Sequence, residues 1–124
     1  MTNSYSVAER INSDVNASVT YKTDLEQYDT PEIWREAGSF GDCEDYALLK
    51  RQRLLEAGFA RKDLHLALCW DETEAYHCVL LCNTSKGWFV LDNRYTWPMT
   101  PKSLPYRWDK ALDGVDGKWY ELSF

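Results

Sequence analysis

Residues 41–58 read GDCEDYALLKRQRLLEAG, and this stretch carries the signals of a helix start, a helix body and a helix end. Asp42 can cap the first turn, and Asp45 three residues later completes an acidic variant of the capping box. Strong helix formers follow, and Gly58 is a typical C-terminal stop. The pattern predicts a helix that carries Cys43 in its first turn and runs into the core.

This predicted helix, from Cys43 to Ala57, is amphipathic, with one apolar face for the core and one basic face for solvent. We expect its apolar face to comprise Ala47, Leu48, Leu54 and Leu55. We expect its basic side chains to remain in solvent, namely Lys50, Arg51 and Arg53.

Two further helices are predicted upstream. One extends from about Val7 to Val19 and is loosely amphipathic. The other starts at Thr30, an N-cap hydroxyl followed by a proline at the first helical position, and Gly38 ends it. The residues between these helices, 21–28, are predicted to be irregular.

Three strands are predicted after the Cys43 helix, and the polar turn NTSKG joins the second and third as an antiparallel hairpin. The second strand is apolar on both faces, which is typical of an interior strand. If Thr84 and Ser85 form a two-residue loop, His77 lies directly opposite Asp92, with Cβ atoms roughly 5 Å apart. Prolines beyond Asn93 predict a loop on the surface. The strands are predicted at 64–70, 76–82 and 88–92, with a last strand at 118–122.

The composition is that of one globular domain spanning residues 1–124, since 44% of the residues are hydrophobic and 27% are charged. The net charge of −6 argues against a nucleic-acid partner, which would require a basic patch. The longest apolar stretches are far shorter than the roughly 20 residues that span a bilayer. The polar opening residues carry no export signal, so we expect a cytoplasmic protein. The oligomeric state is left open.

One of the four cysteines differs from the others in its surroundings. None forms a CxxC pair, so a structural zinc site is not expected, and a reducing cytoplasm would keep the thiols free. Cys69, Cys78 and Cys82 lie in apolar runs, where cysteine behaves as a small core residue. Cys43 lies among charges in GDCEDY, which makes it the candidate nucleophile.

Cys43, His77 and Asp92 together supply the groups that thiol catalysis needs: a nucleophile, a base, and an acid that orients the base. The helix N-terminus would lower the pKa of the Cys43 thiol. Each residue also has a structural explanation, as a chance cysteine at a helix start, a core histidine and a turn aspartate. The other histidine, His65, lacks a nearby acid and is interpreted as structural.

Two carboxylates, those of Asp42 and Glu44, flank the candidate nucleophile and should raise the pKa of the Cys43 thiol. Either the helix dipole and His77 outweigh them, or a cation neutralises them. Adjacent carboxylate oxygens suit calcium better than a soft metal. The alternative is that Asp42 caps the helix and Glu44 is simply solvated.

Three segments of the sequence resemble the bacterial transglutaminase-like cysteine proteinases, the family of the LapG-like proteases. They are TPEIWREAGSFGDCEDYALLKRQRLLEAG, HCVLL and GWFVLDN, and the likeness covers roughly residues 15–95. The resemblance implies an α+β fold, papain-like or transglutaminase-like, in which the nucleophile helix packs with other N-terminal helices on an antiparallel β-sheet. The chain is shorter than a typical LapG protein, and it has Cys78 where the family often has alanine.

The same resemblance implies a role for each candidate residue. The family nucleophile corresponds to Cys43, the general base to His77 and the orienting acid to Asp92. The acids that bind calcium in LapG-like proteins correspond to Asp42 and Glu44. The resemblance therefore implies a cysteine peptidase or amidase that hydrolyses a peptide or isopeptide bond in a protein or peptide substrate.

Other functions of the same residues stay open. If an amine intercepts the thioester, the enzyme is a transglutaminase or an acyltransferase. A catalytically idle papain-like module would instead bind a peptide or protein through exposed aromatic side chains. A calcium-responsive regulator would bind calcium without turnover. The compact size also fits a protein of a phage or a mobile element.

Overall fold

The structure is a computed structural model, and it describes residues 3–18 and 39–124. The irregular segment predicted at 21–28 and the short helix predicted from Thr30 to Gly38 lie outside the described residues. Within the described part of the chain, no helix is both long and apolar enough to cross a membrane.

Two of the predicted helices are present, α1 at Tyr5–Ser18 and α2 at Ser39–Glu56. Helix α2 packs on the sheet, and α1 packs mainly against α2. Gly58 follows α2 with a φ of +104°, which is the left-handed conformation expected of a glycine after a helix C-terminus. The predicted end of the Cys43 helix is therefore confirmed.

The predicted start of that helix is wrong by four residues. Helix α2 begins at Ser39, so Asp42 lies within it and is not its N-cap, and Cys43 is its fifth residue. Gly41 does not stop the helix, because a glycine within a helix costs only about 1 kcal/mol relative to alanine. The backbone of Cys43 consequently lies beyond the four N–H groups that have no partner within the helix.

The buried face of α2 also differs from the predicted one. Leu48 is 40% exposed, whereas Lys50, which we expected in solvent, is 0% exposed. The spacing explains the error, since a stripe that starts at Cys43 and follows the helical period passes through position 50 and not position 48. The buried residues with this spacing are Cys43, Ala47, Lys50 and Leu54.

Five antiparallel strands form one sheet in the order β3-β2-β1-β4-β5. The three predicted strands and the last strand are confirmed to within two residues, and β2 is interior as predicted. Strand β4 was not predicted, because the prolines beyond Asn93 indicated only a loop. It begins after Pro105, the last proline in the sequence. The strands are β1 Leu64–Trp70, β2 Tyr76–Thr84, β3 Gly87–Leu91, β4 Arg107–Leu112 and β5 Trp119–Glu121.

Both faces of the sheet are covered, which explains why β2 is apolar on both faces. Leu80 and Cys82 of β2 pack with Leu54 on the side of the helices. Val79 of β2 packs on the opposite side with Tyr106, which belongs to the segment that returns after β3. The site described below lies where this returning segment leaves β3.

The predicted register of the β2–β3 hairpin is shifted by two residues. Thr84 pairs with Gly87, so the loop is Ser85–Lys86, and the ladder ends at the pair Leu80–Leu91. Continued by one pair, this register would place Asp92 opposite Val79 rather than opposite His77. The loop is displaced from the predicted position because Gly87, with a φ of +110°, supplies the left-handed residue that closes it.

Candidate active site

Helix α2 places Cys43 beside the part of β2 that does not pair with β3. The pairing of β2 with β3 covers Leu80 to Thr84, and the earlier residues of β2 have no β3 partner. The backbone N–H of Cys78, one of those residues, donates to the Cys43 sulfur across 3.1 Å. The thiol thus takes a hydrogen-bonding position that a strand would otherwise fill, immediately beside the backbone of His77.

His77 and Asp92 form a buried pair at the same place. The Nε2 atom of His77 lies 2.9 Å from Oδ1 of Asp92, and the two residues are 5% and 0% exposed. Of the three candidate catalytic residues, the structure therefore joins His77 to Asp92 directly. It brings Cys43 next to the backbone that follows His77.

Two further hydrogen bonds hold the Asp92 carboxylate. The backbone N–H of Arg94 donates to Oδ1 across 2.9 Å, and the hydroxyl of Tyr106 donates to Oδ2 across 2.5 Å. Burial alone would raise the pKa of Asp92, but the bonds from His77, Tyr106 and Arg94 outweigh it and hold the pKa below its ordinary value. Asp92 is therefore an anion at neutral pH, and His77 carries its proton on Nε2 to donate to it.

Tyr106 is a residue of this site that the sequence did not reveal. Its ring meets the His77 ring edge-on, with centroids 5.6 Å apart and planes at 77°. Burial and the Asp92 charge raise the pKa of its phenol, so it remains a donor. Its partner Asp92 lies 14 residues away in the chain, so no local sequence pattern joins the two residues. The one sequence feature that could have indicated Tyr106 is its position at the end of a proline-rich loop.

The guanidinium of Arg94 extends this network to the surface. It donates to Glu72 across 3.0 and 2.6 Å, and to the hydroxyl of Tyr106 across 3.1 Å. Arg94 therefore links Glu72, which precedes β2, to the Tyr106–Asp92 pair, and holds the returning segment against the sheet.

Two asparagines of α1 fix the turn that carries Asp92. Asn16 donates to the carbonyl oxygens of Asp92 and Tyr95 across 3.1 and 2.8 Å. Asn12 donates to the carbonyl oxygens of Tyr95 and Thr96 across 3.2 and 3.0 Å. The orientation of Asp92 thus depends on α1 as well as on β3.

The Cys43 thiol is not activated in the way the sequence predicted. Burial raises its pKa to about 12, the Asp92 charge adds to the increase, and the N–H of Cys78 acts in the opposite direction. The backbone N–H groups of Cys43 and Glu44 in α2 also lower the pKa, but burial outweighs them, so the predicted net lowering is wrong. At neutral pH the resting site holds a thiol and not a thiolate.

The other candidate residues lie as follows. Glu44 is half-buried, and the side chain of Asp42 lies outside what the structure describes. In the described part, no three or more histidine, cysteine or acidic side chains gather in a group that could hold a metal. His65 stacks on Trp88 and accepts a hydrogen bond from the backbone of Gly114, away from the His77–Asp92 pair.

Replacing Tyr106 with Phe is expected to destabilise the fold by about 2 kcal/mol at pH 7, since hydrogen bonds to charged groups contribute about 1.5–3 kcal/mol. The pKa of folded Asp92 lies below its unfolded value, so the stabilisation is complete above about pH 4. It disappears as the pH falls through the folded pKa. Urea unfolding at several pH values measures the loss.

Tyr120→Phe is the matched control, because it removes a hydrogen bond from an exposed tyrosine to exposed Asp116. We expect it to change the free energy of unfolding much less. An equal loss in both variants, or a Tyr106→Phe loss that persists unchanged in acid, would contradict the assignment of Tyr106 to the buried carboxylate.

Known proteins resemble this chain at the level of family and of fold. A family model described as bacterial transglutaminase-like cysteine proteinase, BTLCP, matches residues 1–123. No curated protein matches the sequence significantly. Among solved structures, EGTA-treated LapG of Legionella pneumophila superposes with a TM-score of 0.70 at 20% identity, covering 96% of this chain and 68% of that one.

Two other structures of Legionella pneumophila LapG are similar to the same degree. One has a TM-score of 0.69 at 21% identity, covering 94% of this chain and 68% of that one. The calcium-bound form has a TM-score of 0.68 at 21% identity, covering 92% and 66%. At these identities the likeness concerns the fold, which is thus the papain-like or transglutaminase-like one that the sequence predicted.

Proposed function

The chain belongs to the family of bacterial transglutaminase-like cysteine proteinases, and from this membership we propose that it is a thiol-dependent acyl-transfer enzyme that hydrolyses a peptide or isopeptide bond. The nucleophile is Cys43, the base is His77 and the orienting acid is Asp92. The observation that carries the proposal is the buried His77–Asp92 hydrogen bond, one residue from the N–H group that contacts the Cys43 sulfur.

The hydrogen bond to Asp92 determines which nitrogen of His77 acts as the base. Nε2 donates to the Asp92 carboxylate, so the lone pair is on Nδ1. Because the resting thiol is protonated, Cys43 passes its proton to Nδ1 of His77 as the sulfur attacks the substrate carbonyl carbon. Asp92 stabilises the imidazolium that forms.

Completion of the reaction uses the same groups in reverse. The C–N bond breaks, the amine leaves with the proton from His77, and a thioester remains on Cys43. Water, deprotonated by His77, then cleaves the thioester and releases the acid. The first four N–H groups of α2, from Ser39 to Asp42, have no acceptor within the helix and are candidate donors to the oxyanion.

An unfolded protein substrate tests the proposal and its alternatives together. We expect the wild-type chain to generate new N-termini, detected by mass spectrometry, and Cys43→Ala to generate none. A fluorescent primary amine is included in parallel. Its incorporation without cleavage would favour a transglutaminase, which uses the same residues.

The second candidate function is a binding module, and the exposure of the nucleophile favours it. Cys43 is 2% exposed, so a substrate carbonyl must displace neighbouring groups before it reaches the sulfur. The exposed Trp88 and Trp97 offer aromatic surface for a peptide. Binding of a peptide to the wild-type chain without cleavage or amine incorporation would establish this function. We also propose that the protein acts in the cytoplasm on a protein or peptide substrate.

Calcium is proposed at the acidic residues next to the nucleophile, Asp42 and Glu44. Half-buried Glu44 fits such a site because it supplies a carboxylate to a hard cation, which takes six to eight oxygen ligands. The described residues supply only part of such a set. When bound, the ion would neutralise the two carboxylates that otherwise oppose negative charge on the Cys43 sulfur.

Calcium is expected to raise the melting temperature by several degrees, because an ion at 100 times its Kd stabilises the folded state by about 2.7 kcal/mol. Differential scanning fluorimetry with millimolar calcium, and then with excess EGTA, measures the shift. Glu44→Gln should abolish it, whereas Glu74→Gln, an exposed acid of the β1–β2 turn, should preserve it. No shift in the wild type, or an unchanged shift in Glu44→Gln, would exclude a site at Glu44.

A further inference from the structure

The guanidinium of Arg94 lies between Tyr106, which holds the Asp92 carboxylate, and the exposed turn that joins β1 to β2. Its Nη1 atom donates to the hydroxyl of Tyr106 across 3.1 Å and to Glu72 across 3.0 Å. Its Nη2 atom donates to the second carboxylate oxygen of Glu72 across 2.6 Å. A bidentate pair fixes the plane of a guanidinium as well as its position. Arg94 therefore presents Nη1 to Tyr106 in a defined direction.

The donation from Arg94 determines where the Tyr106 hydroxyl points. A phenol oxygen has one hydrogen to donate and accepts through its lone pairs, whereas a guanidinium can only donate. Arg94 thus occupies a lone pair, and the Tyr106 hydrogen is directed to Oδ2 of Asp92, 2.5 Å away. The guanidinium carbon also lies 5.7 Å from the centre of the Tyr106 ring, within range of a cation–π attraction. Arg94 restrains both the hydroxyl and the ring.

A series of hydrogen bonds connects Arg94 to the ring of His77. Tyr106, which accepts from Arg94, donates to Oδ2 of Asp92. The other oxygen of that carboxylate, Oδ1, lies 2.9 Å from Nε2 of His77. Because both oxygens belong to one rigid group, a displacement of Tyr106 also turns Oδ1, and hydrogen bonds in series polarise one another. The position of the guanidinium is therefore transmitted to His77.

The turn that carries Glu72 is held by hydrogen bonds of its own. The carboxylate of Asp71 accepts from the backbone N–H of Thr73 across 2.8 Å and from its hydroxyl across 2.6 Å. Glu74 has a φ of +67°, which residues other than glycine seldom adopt and which persists only where the surrounding structure holds it. Asp71 also lies 3.7 Å from Nη1 of Arg94. The turn is thus a fixed anchor for the guanidinium.

We propose that Arg94 and Glu72 are positioning residues of the site. Glu72 anchors the guanidinium, and the guanidinium fixes the Tyr106 hydroxyl on the Asp92 carboxylate. The carboxylate in turn sets the direction in which His77 presents Nδ1 to the thiol. Neither side chain touches a reacting atom, and the inference rests on the proposed function only for its catalytic consequence.

Arg107 provides the matched control, because it forms a comparable surface ion pair on the same sheet. It donates to Glu74 across 3.2 Å, and its guanidinium carbon lies 4.2 Å from the centre of the Trp70 ring. Among the described hydrogen bonds, its side chain makes none to Tyr106 or Asp92. Arg107→Met therefore removes a surface pair and leaves the Tyr106 hydroxyl restrained. Arg94→Met removes the restraint, and it keeps the backbone N–H of residue 94 that donates to Asp92.

NMR of the full chain labelled with ¹⁵N at histidine tests the proposal without any substrate. The chain has two histidines, and the ring nitrogens of each are detected through the carbon-bound ring protons. In neutral His77 we expect a protonated Nε2 and an unprotonated Nδ1 in the wild type. In Arg94→Met the two ¹⁵N shifts should move toward each other, because a loosened Asp92 allows the other tautomer. Arg107→Met should leave them unchanged, and His65 should respond to neither substitution.

Acetylation of Cys43 by p-nitrophenyl acetate measures the catalytic consequence. We expect Arg94→Met to slow it by about tenfold, which is less than the roughly hundredfold cost of a full 1 Å misplacement. Glu72→Gln, which keeps one acceptor for Arg94, should slow it less. Arg107→Met should stay within about twofold of the wild type, since exposed ion pairs contribute little.

The two measurements separate the inference from the proposed function. Unchanged ¹⁵N shifts in Arg94→Met, an unchanged acetylation rate in that variant, or an equal response to Arg107→Met would overturn the positioning role. The expected change of the His77 shifts in a chain whose wild type has no acyl-transfer activity would instead overturn the proposed function alone.

Discussion

Replacing Cys43 with Ala is expected to abolish acyl transfer completely, because the other thiol beside His77, that of Cys69, is fully buried and donates to the carbonyl oxygen of His77. The folded state should survive. The substitution leaves the N–H of Cys78 without an acceptor, which costs about 1–3 kcal/mol. Turnover of an unfolded protein substrate and urea unfolding, measured on the same preparation, separate loss of chemistry from loss of structure.

Cys82→Ala is the matched control for this prediction. Cys82 is as buried as Cys43 and belongs to the same core cluster, but it lies at the far end of β2 from His77. It should lose a similar amount of stability and keep its turnover. Residual turnover in Cys43→Ala above that of a mock preparation would show that the nucleophile is another residue.

Replacing Asp92 with Asn is expected to reduce kcat by about 10⁴-fold, which is the effect known for the equivalent change in a Ser-His-Asp triad. An asparagine amide that donates to Nε2 of His77 moves the imidazole proton to Nδ1, and the base that should receive the thiol proton is then lost. The change also removes the charge that the Tyr106 hydroxyl and the Arg94 N–H stabilise.

The control for Asp92→Asn is Asp109→Asn. Asp109 also accepts a hydrogen bond from a tyrosine, Tyr76, but it belongs to β4 and contacts no candidate catalytic residue in the described hydrogen bonds. We expect its kcat to stay within a few-fold of the wild type. A decrease of less than tenfold in Asp92→Asn would mean that the orienting group of His77 is not Asp92.

Much of the fold could be predicted because its signals are local. The helix formers after Cys43 and the glycine at 58 specify α2, and alternating apolar residues with a polar turn specify the β2–β3 hairpin. The pairing register of β2 with β3 could not be predicted in the same way. It depends on which residue of the NTSKG turn takes the left-handed conformation, and the observed register differs from the predicted one by two residues. Gly87 takes this conformation.

Only the residues of the candidate site whose types are those of thiol catalysis could be predicted from the sequence. His77 and Asp92 are brought together as expected, although the register differs from the predicted one. Tyr106 and the asparagines of α1 act through contacts between residues that are far apart in sequence, and no local pattern indicates them. The burial of Lys50 follows from its helical spacing from Cys43, but a lysine side chain indicates solvent exposure, so the residue type pointed the other way.

Because the pKa of Cys43 is raised, its thiol has to lose its proton during the attack on the substrate rather than before it. A site with a preformed thiolate reacts with electrophiles without help, whereas a buried thiol with a pKa of about 12 needs its base at the moment of attack. The dependence of Cys43 reactivity on His77 is therefore the property that most directly distinguishes an acyl-transfer site from a buried core cysteine.

Acylation of the whole chain by p-nitrophenyl acetate, followed by intact-mass and peptide mass spectrometry, measures this property without knowledge of the natural substrate. The account predicts a single acetyl group on Cys43 in the wild type, formed and hydrolysed in turnover, with none at Cys69, Cys78 or Cys82. His77→Ala should slow its formation strongly while preserving the fold. Acetylation of Cys43 at the same rate in His77→Ala, or labelling spread over all four cysteines, would contradict the central claim.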